Sequence, residues 1–508
     1  MVTFDKFLSL HALSYPEKCC LVFKGKKFTY RELNFRVNRL ANRLLNLGIK
    51  KGDRVGILLH NGNEIAESVF ASARIGAVSI SLNFRLTGRE FEYILDNSDA
   101  SVLVYGEEFT DQVRAIRSSL KKINHYIVVG EGEIEKSHSH YEELLESHAD
   151  TEPPRQIAID DDSSLIYTSG TTGRPKGVLR SHQTNLWASL NTVIEMGYRN
   201  DDVELYLVPL FNVGFFNFFT PNIIAGGTVV LLPHFEEREV LNLIVSEKVT
   251  RAFMVPAMWN RLITIKDLSE YDLSSLRVGA SGAESMPTEL KRQIKARFKH
   301  LEIWECYGLS EGGKTFLRPA DCLRKFASVG KACVSDEIKV VDENGVEVGI
   351  GDEGEVLFRG PSLMKEYYKN PQETALALKG CWLHTGDIGK LDEEGYLYIV
   401  DRKKDMIISG GENIYPREIE DVLTGHPKIF EAAVIGIPDP KWGEAVKAIV
   451  VLREGEKMEA EEVIDYCKVN LASYKKPRTV EFIDSLPRNP SGKVLKMELR
   501  ENYAKSSR

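Results

Sequence analysis

The chain has 508 residues, of which 43% are hydrophobic and 28% charged. That supports a packed core in two to four domains of about 100–200 residues each and excludes a disordered, collagen-like or coiled-coil chain. Lys and Arg total 66 against 74 Asp and Glu, a formal charge of −8. A non-specific nucleic-acid binder is normally basic, so that class is disfavoured. The cysteines at 19, 20, 306, 322, 333, 381 and 467 are odd in number, scattered and never in a Cys-x-x-Cys pair. This spacing argues against a disulfide framework or a structural zinc site and predicts a reducing, cytoplasmic setting. The first residues, MVTFDKFLSLHALSYPEKCC, contain no apolar signal core, the final AKSSR is no targeting tail, and no apolar run approaches membrane-spanning length.

In chain order, residues 29–48 predict a helix that opens on a Thr29/Glu32 capping box and stops at Gly48. Strands are predicted at 54–60, 77–82 and 100–106, with helices at 63–75 and 88–98 between them. The alternation implies parallel pairing and an α/β architecture. It continues to about residue 320, with strands at 203–211 and 227–233 and a helix at 238–248. From about 327 to 400 the pattern is rich in strands and turns, and Glu343-Asn344-Gly345 predicts a hairpin turn. A charged stretch, Arg402-Lys403-Lys404-Asp405, then precedes about 100 residues with their own strands and helices. The expected organisation is a large N-terminal domain, 1–400, a hinge at 401–405, and a small C-terminal α+β domain, 406–508.

The most informative stretch is SSLIYTSGTTGRPKGV, 163–178. An apolar strand feeds Thr168-Ser169-Gly170-Thr171-Thr172-Gly173-Arg174-Pro175-Lys176-Gly177. Glycines let successive N–H groups converge on one anion, hydroxyls add donors, and Lys176 adds charge, which is phosphate-binding chemistry. The loop is not a Walker A motif, because Pro175-Lys176-Gly177 lacks the hydroxyl that follows the lysine there.

YTSGTTGRPKGV resembles the signature loop of the adenylate-forming superfamily: acyl-CoA synthetases, luciferases and peptide-synthetase adenylation domains. Further stretches match in order: LNFRLTGREFEYIL (82–95), YGLSE (307–311), GEVLFRGPSLMKEYY (354–368), WLHTGDIG (382–389), YIVDRKKDMIISGGENIYPREIE (398–420) and LPRNPSGKVLK (486–496). The likeness is greatest to fatty-acyl and related carboxylate–CoA ligases. It implies a large α/β domain with parallel sheets and a small β-barrel-like part, followed by a small mobile C-terminal domain. It also implies ATP, magnesium and coenzyme A as cofactors, a small carboxylic acid as substrate, and a place in fatty-acid and lipid metabolism. No nucleic acid or transmembrane segment is implied, and a homodimer is left open.

By the same resemblance, Thr168, Ser169, Gly170, Thr171, Thr172, Gly173 and Lys176 contact the ATP phosphates. Tyr307 beside Gly308 stacks on adenine, Ser310 donates to the α-phosphate, and Glu311 holds magnesium. Asp387 accepts from the ribose hydroxyls with help from Arg402, and Lys493 reaches the reacting carboxylate from the small domain. Lys404 is the hinge residue, and Gly410 and Gly411 lie against the pantetheine arm of CoA. Taken singly, each of these residues reads as core packing, a turn or solvated surface; the ordered set is what carries the reading.

The acyl pocket is implied among segments 209–219, 253–259, 279–284 and 307–314, with Phe211, Asn212, Val213, Gly282 and Ala283 as lining residues. Relatives usually carry His where this chain has Asn212, which can hydrogen-bond but cannot titrate. No acid lies between Pro209 and Phe219, which disfavours an amino-acid substrate. Phe211, Phe215, Phe216 and Trp187 are either pocket-shortening residues or ordinary core, and Lys314 reads more simply as a surface lysine than as a partner for a second carboxylate. The leading expectation is an AMP-forming carboxylic acid–CoA ligase. The alternatives are an aryl-acid CoA ligase, a ligase that loads a carrier protein, a luciferase-like oxygenase, disfavoured by Ile408, and a non-catalytic nucleotide binder.

Overall fold

The computed structural model describes residues 2–146, 148–168, 175–284, 286–325, 327–402, 405–409, 412–439, 442–471, 473–488 and 494–504. Two large sheets dominate the N-terminal part. One is nine-stranded, with Cys19–Phe23, Thr228–Leu231, Val203–Tyr206, Arg251–Phe253, Val278–Ser281 and Glu302–Leu309 running parallel and antiparallel strands at either edge. The other is eight-stranded and likewise parallel through Asp162–Thr168, Val78–Ser81, Arg54–Leu58, Ala100–Gly106 and His125–Val129. Parallel neighbours need crossover helices, and the alternating sequence supplies them.

Local chemistry sets the helix limits. The helix Tyr30–Asn46 begins with the expected capping box: Glu32 N–H donates to Thr29 Oγ1 at 3.1 Å, and Thr29 N–H donates to Glu32 Oε2 at 2.7 Å. Its Leu33, Val37, Leu40 and Leu44 are buried at helical spacing. The helix Asn63–Ile75 ends at Gly76, whose φ of +74° suits a residue without Cβ. The helix His182–Met196 packs against Asp162–Thr168 and Lys176–Ser181 of one sheet and Gly312–Leu317 of the other.

The expected strand at 203–211 is shorter, Val203–Tyr206. The following residues are apolar because they are buried, and a side chain satisfies their backbone in place of a neighbouring strand: Asn61 Nδ2 donates to the Val208 and Leu232 carbonyls, and Leu210 N–H donates to Asn61 Oδ1.

Five strands within residues 337–402 form an antiparallel sheet, while Glu366–Tyr367 joins the edge of the eight-stranded one. The Glu343–Gly345 turn is present, with Asp342 N–H donating to the Val346 carbonyl and Gly345 at φ +78°. The C-terminal part has its own five-stranded sheet, with helices Pro416–Thr424 and Ala460–Asn470, around a core that includes Ile407, Ile419, Leu423, Val434, Val450 and Cys467. Among the described residues no helix is long and apolar enough to cross a membrane.

Candidate active site

The phosphate-type loop spans the open end of an antiparallel pair, Asp162–Thr168 with Lys176–Ser181, in which Thr168 faces Lys176. Ser169, Gly170, Thr171, Thr172 and Gly173 lie outside the described residues. Lys176 forms an ion pair with Glu373, and its ammonium sits 5.1 Å from the centre of the Tyr367 ring. The Tyr367 hydroxyl donates to Glu311 Oε1 at 2.7 Å. Burial and the Glu311 charge push that hydroxyl well above its usual range, so it stays protonated and donating. Lys176 and Glu311, 135 positions apart in sequence, thus share one aromatic neighbour.

Ser310 and Glu311 occupy the tight turn between Glu302–Leu309 and Gly312–Leu317. A Cβ on Gly308 would stand 2.9 Å from the Gly313 carbonyl oxygen, so the turn closes this tightly only with glycine there. The turn is pinned by Arg180, which is buried: its Nη1 donates to the Ser310 carbonyl at 2.7 Å and its Nε to Asn185 Oδ1 at 2.8 Å. Burial lowers the Arg180 guanidinium to about 10, against the opposing pull of Glu311, so it remains charged at neutral pH. On the other side, Met364 N–H donates to the Glu311 carbonyl at 2.7 Å.

The Tyr307 hydroxyl donates to Asp387 Oδ2 at 2.5 Å, and Asp387 N–H donates to Thr385 Oγ1 at 3.0 Å. Asp387 is only 2% exposed and stands opposite Arg402 in the adjoining strand. The Arg402 side chain and Lys404 lie outside the described residues.

In the expected acyl region, Gly282 packs against Cys306: a Cβ there would be 2.6 Å from Sγ and 2.8 Å from the carbonyl oxygen. Burial pushes the Cys306 thiol up to about 12, so it is no nucleophile at neutral pH. Ala283 adopts φ +69°. Asn212 Oδ1 accepts from Gly214 N–H at 2.7 Å, and the Val213 carbonyl accepts from Phe216 and Asn217 N–H, opening a π-helical turn over Phe215–Phe219. Such turns recur at functional sites. Phe215 and Phe216 belong to the core, packing on Phe70 and Phe4, whereas Phe211 meets Phe84 edge-on at 5.5 Å. Lys314 is buried at 5% exposure, which overturns its reading as a surface lysine.

Lys493, Gly410 and Gly411 lie outside the described residues, but their supports are described. Arg488 pairs across a short antiparallel bridge with Val494, and Leu495 N–H donates to the Pro487 carbonyl, so the two described ends of the segment that carries Lys493 are held together. Arg488 pairs with Glu431 at its own base and reaches Glu284 Oε1 at 3.4 Å. Glu284 follows Ala283 directly, so Arg488 meets the chain at the edge of the expected acyl region.

Arg180, Tyr367, Glu373 and Glu284 were not anticipated. Arg180 had a sequence signal, a lone cation within the apolar strand GVLRS; the other three act through tertiary contacts alone.

Residues 8–368 match the family model of the AMP-binding enzymes, and residues 418–493 match the AMP-binding enzyme C-terminal domain. The chain belongs to the AMP-binding enzyme family. Among its relatives in the family, the long-chain-fatty-acid–CoA ligase FadD13 of Mycobacterium tuberculosis is 39% identical over 488 residues, covering 94% of this chain and 93% of that one. A feruloyl-CoA synthase of Amycolatopsis is 38% identical over 492 residues, covering 96% of each. The crystal structure of ATP-bound MatB from Rhodopseudomonas palustris superposes with a TM-score of 0.92 at 30% identity over the full length of both chains. An AMP-binding enzyme's fold is therefore present along the chain.

Proposed function

We propose that the protein is an AMP-forming carboxylic acid–CoA ligase. A carboxylate oxygen attacks the α-phosphorus of ATP, the bond to pyrophosphate breaks, and an acyl-adenylate forms. The CoA thiol, losing its proton, then attacks the acyl carbon and AMP leaves as the thioester forms. The observation that carries this reading is the convergence of Lys176, Tyr367 and Glu311 beside the loop, with Tyr307 bonded to Asp387.

In this reading Lys176 and the loop donors neutralise charge gathering on the phosphates, where positioned cations have most effect. Ser310, held by Arg180, donates to the α-phosphate, and Asp387 holds the ribose hydroxyls. Magnesium suits Glu311: it prefers oxygen ligands and takes one or two carboxylates together with phosphate oxygens and water. Among the described residues no larger cluster of His, Cys, Asp or Glu competes for a metal. The ion supplies charge neutralisation on the phosphates when bound. Residues 406–508 act as a mobile domain that turns about 401–405, with Lys404 at the hinge, bringing Lys493 to the adenylate step and Gly410–Gly411 to the thioester step. Two half-reactions with different nucleophiles call for two such arrangements.

The test is pyrophosphate release from Mg·ATP across acetate, octanoate, palmitate, benzoate and coumarate, with and without CoA. Steady turnover only with CoA is the expected result. A single burst that CoA does not relieve points instead to a carrier-protein thiol as acceptor, and release with no acid overturns the reading.

A further inference from the structure

Lys314 stands opposite Gly308 in the antiparallel pair that carries the Ser310–Glu311 turn, and its side chain runs inward to the helix His182–Met196. Its ammonium donates to the Ala188 carbonyl at 2.9 Å and the Thr192 hydroxyl at 2.8 Å, both neutral acceptors. An ammonium has three donors, and among the described residues no carboxylate lies within ion-pairing distance of this one. Asp336 is occupied elsewhere: it accepts from the Lys314 backbone N–H at 3.1 Å and from the Ser335 and Ser362 hydroxyls. Burial draws Lys314 down to about 8, with Cys333, Cys306 and Asp336 opposing, so most molecules carry its charge at neutral pH.

An unpaired buried charge is costly, and an apolar residue of equal volume fills such a site at least as well. The surroundings give the charge a use. Cys306, two residues from Gly308, abuts Gly282, and Ser189 on the same helix as Ala188 and Thr192 donates to the Phe216 carbonyl at 2.7 Å. Cys306 acts electrostatically on the Lys314 ammonium and itself abuts Gly282, so the ammonium lies beside the segment 279–284 that the family resemblance gives to the acyl group. We propose that Lys314 is a specificity-determining residue, pairing with a second carboxylate at the far end of the acid, so that the enzyme prefers dicarboxylic acids to plain ones. This rests on the acid–CoA ligase reading.

The experiment compares length-matched acids, namely hexanoate with hexanedioate, octanoate with octanedioate, and phenylacetate with 4-carboxyphenylacetate, in the wild-type protein and Lys314→Met. It reads both kcat/KM for pyrophosphate release and the shift in Tm caused by each acid. Wild-type protein is expected to favour one dicarboxylate over its plain partner by about tenfold or more, because a site built for a polar group rejects the analogue lacking it. Lys314→Met is expected to reverse that preference while the ligand-free Tm holds or rises. Preference for the plain acid in every pair, or an equal loss on both members of each pair in the variant, overturns the proposal. If no acid releases pyrophosphate, the ligase reading fails, and the Tm arm still decides: protection by a dicarboxylate in wild type but not in Lys314→Met supports the pairing, and equal shifts refute it.

Discussion

The Tyr307 hydroxyl and the Asp387 carboxylate meet at 2.5 Å across 80 positions of sequence, joining the turn that bears Ser310 and Glu311 to the antiparallel sheet. A hydrogen bond to a charged group contributes about 1.5–3 kcal/mol. Tyr307→Phe keeps the ring and removes the donor, so Asp387 loses its orientation before ATP arrives. The expected result is a rise of about tenfold in KM for ATP with little change in Tm; an unchanged KM would separate Asp387 from nucleotide binding.

Lys176 is engaged by Glu373, and in the proposed reading it exchanges that carboxylate for phosphate when ATP binds. Both partners are partly shielded from water, so the competition is modest. Glu373→Gln is expected to tighten ATP binding by about two- to fivefold, measured as a dissociation constant without acid. Weaker binding in this variant means that Glu373 aims the lysine and does not compete for it.

The Arg488–Glu284 pair ties the start of the segment that carries Lys493 to the large domain. It is more than one-third exposed on both sides, which limits it to about 1 kcal/mol or less. Glu284→Arg is expected to slow adenylate formation by about two- to fivefold and to spare thioester formation from a supplied acyl-adenylate. Rescue by the swapped pair Glu284→Arg with Arg488→Glu is the check; slowing of both half-reactions alike would speak against a docking role.

Glu204 is buried beside Tyr198, whose hydroxyl donates to Oε1 at 3.1 Å, and among the described residues Oε2 has no hydrogen-bond partner. Burial raises its carboxyl to about 8, against the pull of Arg251. Because the folded state holds this proton more tightly than the unfolded chain, the stabilisation is complete below pH 4.5 and is lost as pH rises through about 8. Glu204→Gln, which mimics the neutral acid, is expected to raise Tm at pH 8.5 and leave it nearly unchanged at pH 5. Equal shifts at both pH values would rule out titration at Glu204.

Regular elements were legible in the sequence where a local signal ended them. The capping box at Thr29 and Glu32 and the stop at Gly48 place the limits of the helix Tyr30–Asn46 to within a residue or two. The run at 203–211 was misread because burial alone makes a segment apolar, and Asn61, far upstream, turns its second half into a loop. The site followed the same rule. Motif residues such as Tyr307, Glu311 and Asp387 were legible together, whereas Tyr367 and Glu373 acquire meaning only when the edge strand Glu366–Tyr367 lies beside Lys176–Ser181. The Lys314 environment was misread because one lysine in a turn-rich stretch carries no sign of burial.

Arg180 fastens the strand that leaves the phosphate loop to the backbone of Ser310. Lys314, Gly282 and Asn212 hang from other contacts: a helix carbonyl and a threonine hydroxyl, a cysteine, and a local turn. In the proposed reading, the side chains that fasten the nucleotide frame differ from those that choose the acid, although Ser310 and Lys314 share one strand pair. On that reading, exchanging the acid-facing side chains leaves the Arg180–Ser310 fastening in place, so variation and laboratory selection have side chains to explore other than those that hold the turn.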